Sequence, residues 1–206
     1  MSKSIGNVVD PVAVIDDWGL DAFRYYVVRE LAIGPDGNWT DEGFATRYGA
    51  ELANGLGNLV NRSLSMLNRY REGVVPSPHD ELASEAIAAR DNLIEQLRAN
   101  ELQAGLMTIW SYIARLNQYV DETAPFKIAK DPEQAERLGE VLYNLAESCR
   151  LLAVWLQPYL PTTSQRIMEQ LNLPTDLANI AEENWGGLEG GHQIGTPEAL
   201  FPRRYS

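Results

Sequence analysis

The stretch Asn54-Gly55-Leu56-Gly57-Asn58-Leu59-Val60-Asn61-Arg62 lies inside an amphipathic run from Asp41 to about Arg71. On a helical wheel of 3.6 residues per turn, Arg47, Glu51, Asn54, Asn58, Arg62, Ser65 and Arg69 fall within roughly 80° of one another. The opposite side collects Ala45, Leu52, Ala53, Leu56, Leu59, Val60, Leu64, Met66 and Leu67. This predicts one long helix whose apolar face packs on a core. Its polar stripe is rich in amides and arginines, side chains that read base edges, hold phosphates and stack on bases. An ordinary solvated exterior has the same periodicity, so the stripe is a candidate RNA-reading surface and the pattern alone leaves both readings open.

Working outward, Thr40 reads as the N-cap of that helix, with Asp41 and Glu42 favourable in its first turn. Upstream, Asp10 before Pro11 predicts a capped helix from Val12 to about Trp18, stopped by Gly19. A second helix is expected from Asp21 to Leu31. It is followed by a tight turn at Gly34-Pro35-Asp36-Gly37, with Asn38-Trp39-Thr40 at most an edge strand. Downstream of the loop Val74–His79, helical blocks are expected at about Glu81–Ala99, Glu101–Glu122, Pro132–Leu156 and Thr162–Leu171. Leu102, Leu106, Ile109, Ile113 and Leu116 recur at helical spacing in the second block, as do Leu138, Val141, Leu142, Leu145, Leu152 and Trp155 in the third. The expected fold class is all-α, an antiparallel helical bundle over 41–173. A small segment, 1–40, precedes it, and a Gly/Pro-rich tail, 174–206, packs back on the body with at most a short strand.

Composition narrows the function classes. Against 17 Lys and Arg stand 29 Asp and Glu, a net charge of −12, which argues against a broad, sequence-blind grip on nucleic acid. RNA binding would have to use a local cluster on a repelling surface. The one cysteine, Cys149, excludes an internal disulfide and a Cys-based zinc site, and it reads as a buried structural thiol. No secretory signal and no bilayer-length apolar stretch is legible, which fits the cytosol. His79 and His192 sit in loop-like contexts without a visible nucleophile or metal-ligand partner, so neither is assigned a catalytic role and no metal site is expected.

The opening Met1-Ser2-Lys3-Ser4 is similar to the KMSKS loop of class I aminoacyl-tRNA synthetases, without its first lysine. The likeness extends through Ile5-Gly6-Asn7-Val8-Val9-Asp10-Pro11 and Gly19-Leu20-Asp21-Ala22-Phe23-Arg24-Tyr25-Tyr26. Later segments resemble the methionyl-tRNA synthetase family specifically. These are Arg29-Glu30, Asp36-Gly37-Asn38-Trp39, Leu56-Gly57-Asn58-Leu59-Val60-Asn61-Arg62, Asp121-Glu122-Thr123-Ala124-Pro125-Phe126, Gly191-His192-Gln193-Ile194-Gly195 and Leu200-Phe201-Pro202-Arg203.

This resemblance implies a C-terminal portion of such an enzyme, from the ATP loop through a stem-contact segment to the anticodon-binding bundle. The HIGH motif and the Rossmann-type half of the family are not legible here. In the intact family, ATP and Mg2+ serve the reaction, and Lys3 of the Met1–Ser4 loop would stabilise charge on the phosphates. The chain alone is expected to be inactive and to hold no cofactor. The family's anticodon-reading positions fall on Asn58, Arg62 and Phe126, where Phe126 stands in place of the usual tryptophan. A phenylalanine can stack on a base but cannot donate the indole hydrogen bond. Arg69, Arg71, Lys127 and Lys130 are candidate phosphate contacts. The implied partners are the anticodon stem-loop of tRNA(Met) and the catalytic domain of the same enzyme. A cytoplasmic monomer is expected, since the ending after Phe201-Pro202-Arg203 leaves no room for the extra dimerisation domain of some relatives. The corresponding piece of a valyl, isoleucyl, leucyl or cysteinyl enzyme is one alternative. An acidic helical module that binds a basic protein is another.

Overall fold

A computed structural model describes residues 9–30, 39–176 and 178–202. The expected ATP loop Met1–Ser4, the turn at 34–37 and Arg203 lie outside the described residues. Helix α1, Pro11–Trp18, begins where Asp10 accepts the Val12 N–H at 3.0 Å, and it ends at Gly19, whose φ of +90° suits glycine. Helix α2, Leu20–Glu30, sends Tyr25 and Tyr26 into the core. The hydroxyl of Thr40 accepts the Gly43 N–H at 3.1 Å and starts α3, Asp41–Arg47.

The single long α-helix expected from Asp41 to Arg71 is corrected in its middle third. Tyr48–Gly57 is π-helical, and α4, Asn58–Arg71, resumes the ordinary turn. The Asn58 N–H bonds the Ala53 carbonyl five residues back, the hydrogen bond that defines the wide turn. At its two later glycines the nearest neighbour is the carbonyl five positions earlier. A Cβ on Gly55 would lie 3.4 Å from the Ala50 carbonyl oxygen, and one on Gly57 would lie 3.1 Å from that of Leu52. At Gly57 the missing Cβ therefore relieves a tight approach, whereas at Gly55 the contact would be an ordinary one.

The buried residues carry the same message. Phe44, Tyr48, Leu52, Leu56 and Val60 are all buried at a strict spacing of four. On an α-helical wheel that spacing drifts by roughly 40° per step. A turn closed by i→i+5 bonds holds roughly 4.4 residues, so there the same spacing drifts by roughly 33° in the opposite sense, and across the α and π segments the two drifts partly cancel. Phe44 and Tyr48 thus join the core, while Ala45, expected on the apolar side, is only half-buried.

The rest of the bundle is α5 (Ala83–Arg98), α6 (Leu102–Thr123), α7 (Pro125–Ile128), α8 (Ala135–Leu156) and α9 (Pro161–Gln170). A 3-10 turn, Pro132–Gln134, leads into α8. The link at 99–101 is too short for anything but a reversal, so α5 and α6 pack antiparallel. Helix α8 is the central member and packs against α4, α5, α6, α7 and α9. It is buried on every side from Val141 to Leu156, including Asn144, Glu147, Ser148 and Arg150. Cys149 is among these buried residues, and burial pushes its thiol up to about 12. In α6, Leu106, Ile109, Ile113 and Leu116 are buried as their spacing predicts, but Leu102 at the first position is exposed.

Among the described residues the tail forms an isolated antiparallel bridge, Val74 to Gln193, in place of a short strand. It is flanked by Val75 N–H to His192 O and Gly191 N–H to Val75 O, both 2.8 Å. Further on, Phe201 lies over Gly57, and the Tyr48 hydroxyl donates to the Pro202 carbonyl at 3.0 Å. The tail therefore closes over the π-helical segment, and Arg166 holds it there through the Leu200 and Ala199 carbonyls, both at 2.6 Å.

Candidate nucleic-acid interface

Of the polar stripe, Asn54, Asn58 and Arg69 are exposed, while Arg47, Glu51, Arg62 and Ser65 are half-buried. The change of helical pitch divides the stripe into two chemical parts. At the π-helical end, Glu51 takes the Tyr25 hydroxyl, faces Arg29 at 3.5 Å and accepts from Arg47 at 2.6 Å. Arg47 also pairs with Glu30. Burial and the neighbouring Glu51 push the Tyr25 phenol far above its ordinary range. This end is a neutralised joint between α2 and the π segment, and its arginines are committed within the protein.

From Asn58 onward the stripe is less committed. The Asn58 amide has no hydrogen-bond partner among the described residues and faces solvent. Arg62, one turn on, donates through Nη2 to Asn117 Oδ1 at 3.2 Å and faces Asp121 through Nη1 at 3.5 Å. Both partners belong to α6. That ion pair sets Arg62 beside the last turn of α6, from which the chain passes directly into α7 and Phe126. The αL conformation of Ala124, φ +43°, ends α6 and starts the turn. Phe126 is 48% exposed, one of the most exposed large apolar side chains described, with the Lys127 ammonium 5.9 Å from its ring centre. A hydrophobic plug between helices would be buried, so the exposure leaves the ring free to stack.

The four candidate phosphate contacts separate. Lys127 and Lys130 are exposed beside Phe126, and exposed Arg69 lies over the Tyr70 ring at 5.6 Å. Arg71 instead donates to the Ala135 carbonyl and fits where Gly139 has no side chain, tying the end of α4 to the start of α8. Glu85, which reads as an exposed charge off the stripe, is half-buried and pairs with Arg115 at 2.9 Å. His192 bonds the Leu171 carbonyl through Nε2 at 2.7 Å, and the His79 carbonyl accepts the Trp185 indole N–H, also at 2.7 Å. These are structural ties.

Asn117 is the residue at this site that sequence reasoning does not single out. The available signal is its place in α6 four residues before Asp121, but periodicity cannot say that α4 and α6 meet. Among the described residues no three His, Cys, Asp or Glu side chains are grouped to hold a metal ion. No described helix is long and apolar enough to cross a membrane.

Two family profiles cover the chain. One, described as tRNA synthetases class I (M), matches residues 1–64, and the other, described as the anticodon binding domain of methionyl tRNA ligase, matches residues 78–204. The methionine–tRNA ligase of Caldanaerobacter subterraneus subsp. tengcongensis is 40% identical over 98% of this chain and 33% of the relative. That of Bacillus subtilis is 43% identical over 98% of this chain and 32% of the relative. The chain thus spans about a third of the length of the curated relatives it matches. Among solved structures, Mycobacterium tuberculosis methionyl-tRNA synthetase in complex with methionyl-adenylate superposes with a TM-score of 0.87. The identity is 34%, over 98% of this chain and 41% of that one. The apo form of the same enzyme gives 0.84 at 32% identity, over 97% of this chain and 42% of that one.

Proposed function

The chain belongs to the family of the anticodon-binding domain of methionyl tRNA ligase, and from that premise we propose that Asn58, Arg62 and Phe126 read the anticodon of a methionine-accepting tRNA. The observation that carries the reading is the Arg62–Asp121 pair, which joins the α4 stripe to the end of α6 where Phe126 emerges. The exposed, unpartnered Asn58 amide can take an unstacked base edge, the Arg62 guanidinium can donate to another, and the Phe126 ring can stack. Lys127, Lys130 and Arg69 supply phosphate contacts around it, while Arg71 holds the scaffold. This local cation group is how a chain of net charge −12 would bind RNA without a general affinity for it.

The same reading divides the chain into the loop and stem-contact segment 1–40, the bundle 41–173 and the tail 174–206. It includes a cytoplasmic monomer that works with the catalytic domain of the complete ligase. The ATP and Mg2+ chemistry belongs to that complete ligase, in which Lys3 of the Met1–Ser4 loop would steady charge on the phosphates as the loop closes.

The test is binding of anticodon stem-loops at one fixed salt concentration. Losing hydrogen bonds to a base edge costs roughly 1–3 kcal/mol, about tenfold to a hundredfold in affinity. Arg62→Ala should lower affinity for a CAU stem-loop by that factor and reduce discrimination against a changed anticodon. Glu95→Ala, at an exposed position on α5, should leave discrimination unaltered. If Arg62→Ala weakens matched and mismatched stem-loops equally, the arginine is a phosphate anchor and the base-reading role is wrong.

A further inference from the structure

The guanidinium of Arg62 is not free to choose its orientation. Asn117 Oδ1 accepts from Arg62 Nη2 at 3.2 Å, while Asn117 Nδ2 donates to the Gly55 carbonyl at 3.4 Å and to the Ile113 carbonyl at 3.0 Å. The three contacts define one amide orientation. Turned over, the amide would set its oxygen against two carbonyls and its NH2 against a guanidinium, which has no acceptor. Asn117 therefore presents only an acceptor to Arg62.

Its other anchor is not an arbitrary carbonyl. The Gly55 oxygen also takes the backbone N–H of Asn58, at the point where the wide π turn gives way to the ordinary α turn. Asn58 and Arg62 lie on the first turns of that resumed helix. A single amide thus ties the pitch change in one helix to the orientation of an arginine one turn beyond it. The Arg62 Nε N–H, buried and without a hydrogen-bond partner among the described residues, shows that side chain held by its outer nitrogens alone.

We infer that Asn117 is a positioning residue, holding the Arg62 guanidinium in one orientation relative to Asn58 by bridging it to the Gly55 carbonyl. The inference rests on the anticodon reading above and assigns Asn117 no contact with RNA. It acts through Arg62, so its effect must vanish when Arg62 is removed.

Asn117→Ser is the sparing variant. Ser111 and Thr123 on the same helix bond back to the Met107 and Tyr119 carbonyls at 2.9 and 2.7 Å. The new hydroxyl can likewise keep the Ile113 carbonyl satisfied while being too short to reach Arg62. In the full chain, Asn117→Ser should reduce the affinity ratio between a CAU stem-loop and a one-base variant by about tenfold, comparable to losing an oriented base contact. Added to Arg62→Ala, it should reduce that ratio no further. A second readout needs no RNA. In 15N NMR spectra the Arg62 Nη signals should show restricted rotation in the unaltered chain and averaged rotation in Asn117→Ser, with the rest of the spectrum conserved.

An unchanged ratio in Asn117→Ser, or a further fall in the double variant, would overturn the inference. So would freely rotating Arg62 Nη groups in the unaltered chain. If Arg62→Ala itself leaves discrimination intact, the anticodon reading fails instead, and the NMR signature still decides whether Asn117 holds the arginine.

Discussion

Two arginine–carboxylate pairs in this molecule have the same chemistry and opposite surroundings. Arg62 and Asp121 meet at 3.5 Å with side chains 30% and 76% exposed. Arg150 and Glu147 meet at 2.8 Å, with side chains 6% and 0% exposed. Glu147 also accepts the N–H groups of Gly186, Gly187 and Leu188 at 2.9, 3.0 and 2.9 Å. Arg150 in turn reaches Glu183 and the Asn184 carbonyl, the latter at 2.6 Å. The buried pair has its polar atoms taken up by the protein and pins the tail to α8. The exposed pair leaves Arg62 hydrogens and a whole carboxylate edge to solvent. Burial, rather than residue type, separates a structural rivet from a solvent-facing group.

The comparison breaks most visibly at Glu147. Glu147→Ala leaves Arg150 with Glu183 as its remaining carboxylate and strands three backbone N–H groups in the interior, and removing one partner of a buried pair costs about 3–5 kcal/mol. Urea unfolding should show an unfolding free energy lowered by that amount, with the midpoint falling in proportion. A loss below about 1 kcal/mol would mean that water replaces the carboxylate and the pair is no rivet.

A smaller loss is expected at Gly187. A Cβ there would run into the Arg150 guanidinium, which cannot swing aside without abandoning Glu147. Gly187→Ala should cost about 1–3 kcal/mol, the usual range for overpacking. Limited proteolysis should then cut first in the stretch 183–188. Cutting at the α1 end instead would place the weak point elsewhere.

At the exposed pair the expected stability change nearly disappears. Asp121→Ala should shift unfolding by no more than about 0.5 kcal/mol, as for most exposed ion pairs. A shift of 2 kcal/mol or more would show that the two pairs are energetically alike and would end the comparison.

Much of the fold is legible in the sequence. The Asp10 and Thr40 caps, the stop at Gly19 and the apolar spacing of α6 and α8 depend on local chemistry, and the helices begin and end within a few residues of expectation. The π segment is hidden by assuming one pitch throughout, although the four-residue spacing from Phe44 to Val60 is longer than the α period. Helix α7 is not expected, because four residues, counted from Pro125, are too few to show a period.

At the candidate site, Asn58, Arg62 and Phe126 are legible through resemblance and Asn58 and Arg62 also through the stripe, whereas Asn117 is not. Arg71 shows the same limit from the other side, since its use as a tie to the Ala135 carbonyl depends on a neighbour 64 residues away.

Most of the helices, the Asp10 and Thr40 caps, the apolar faces and the family could be read from the sequence, because each rests on neighbours within a few positions or on a motif read in order. Tertiary structure alone decided which polar side chains are spent inside the protein. Glu147 and Arg150 sit three apart on a helix, as countless solvated pairs do, and only the packing of α8 on every side and the return of 183–188 over it bury them. Arg62 carries the same charge as Arg150, yet it lies at the edge where α4 meets α6 and keeps part of its fork in water. The physical reason is that desolvation is a property of the whole assembly of elements. A local pattern sets which face a side chain takes, but not what will cover that face.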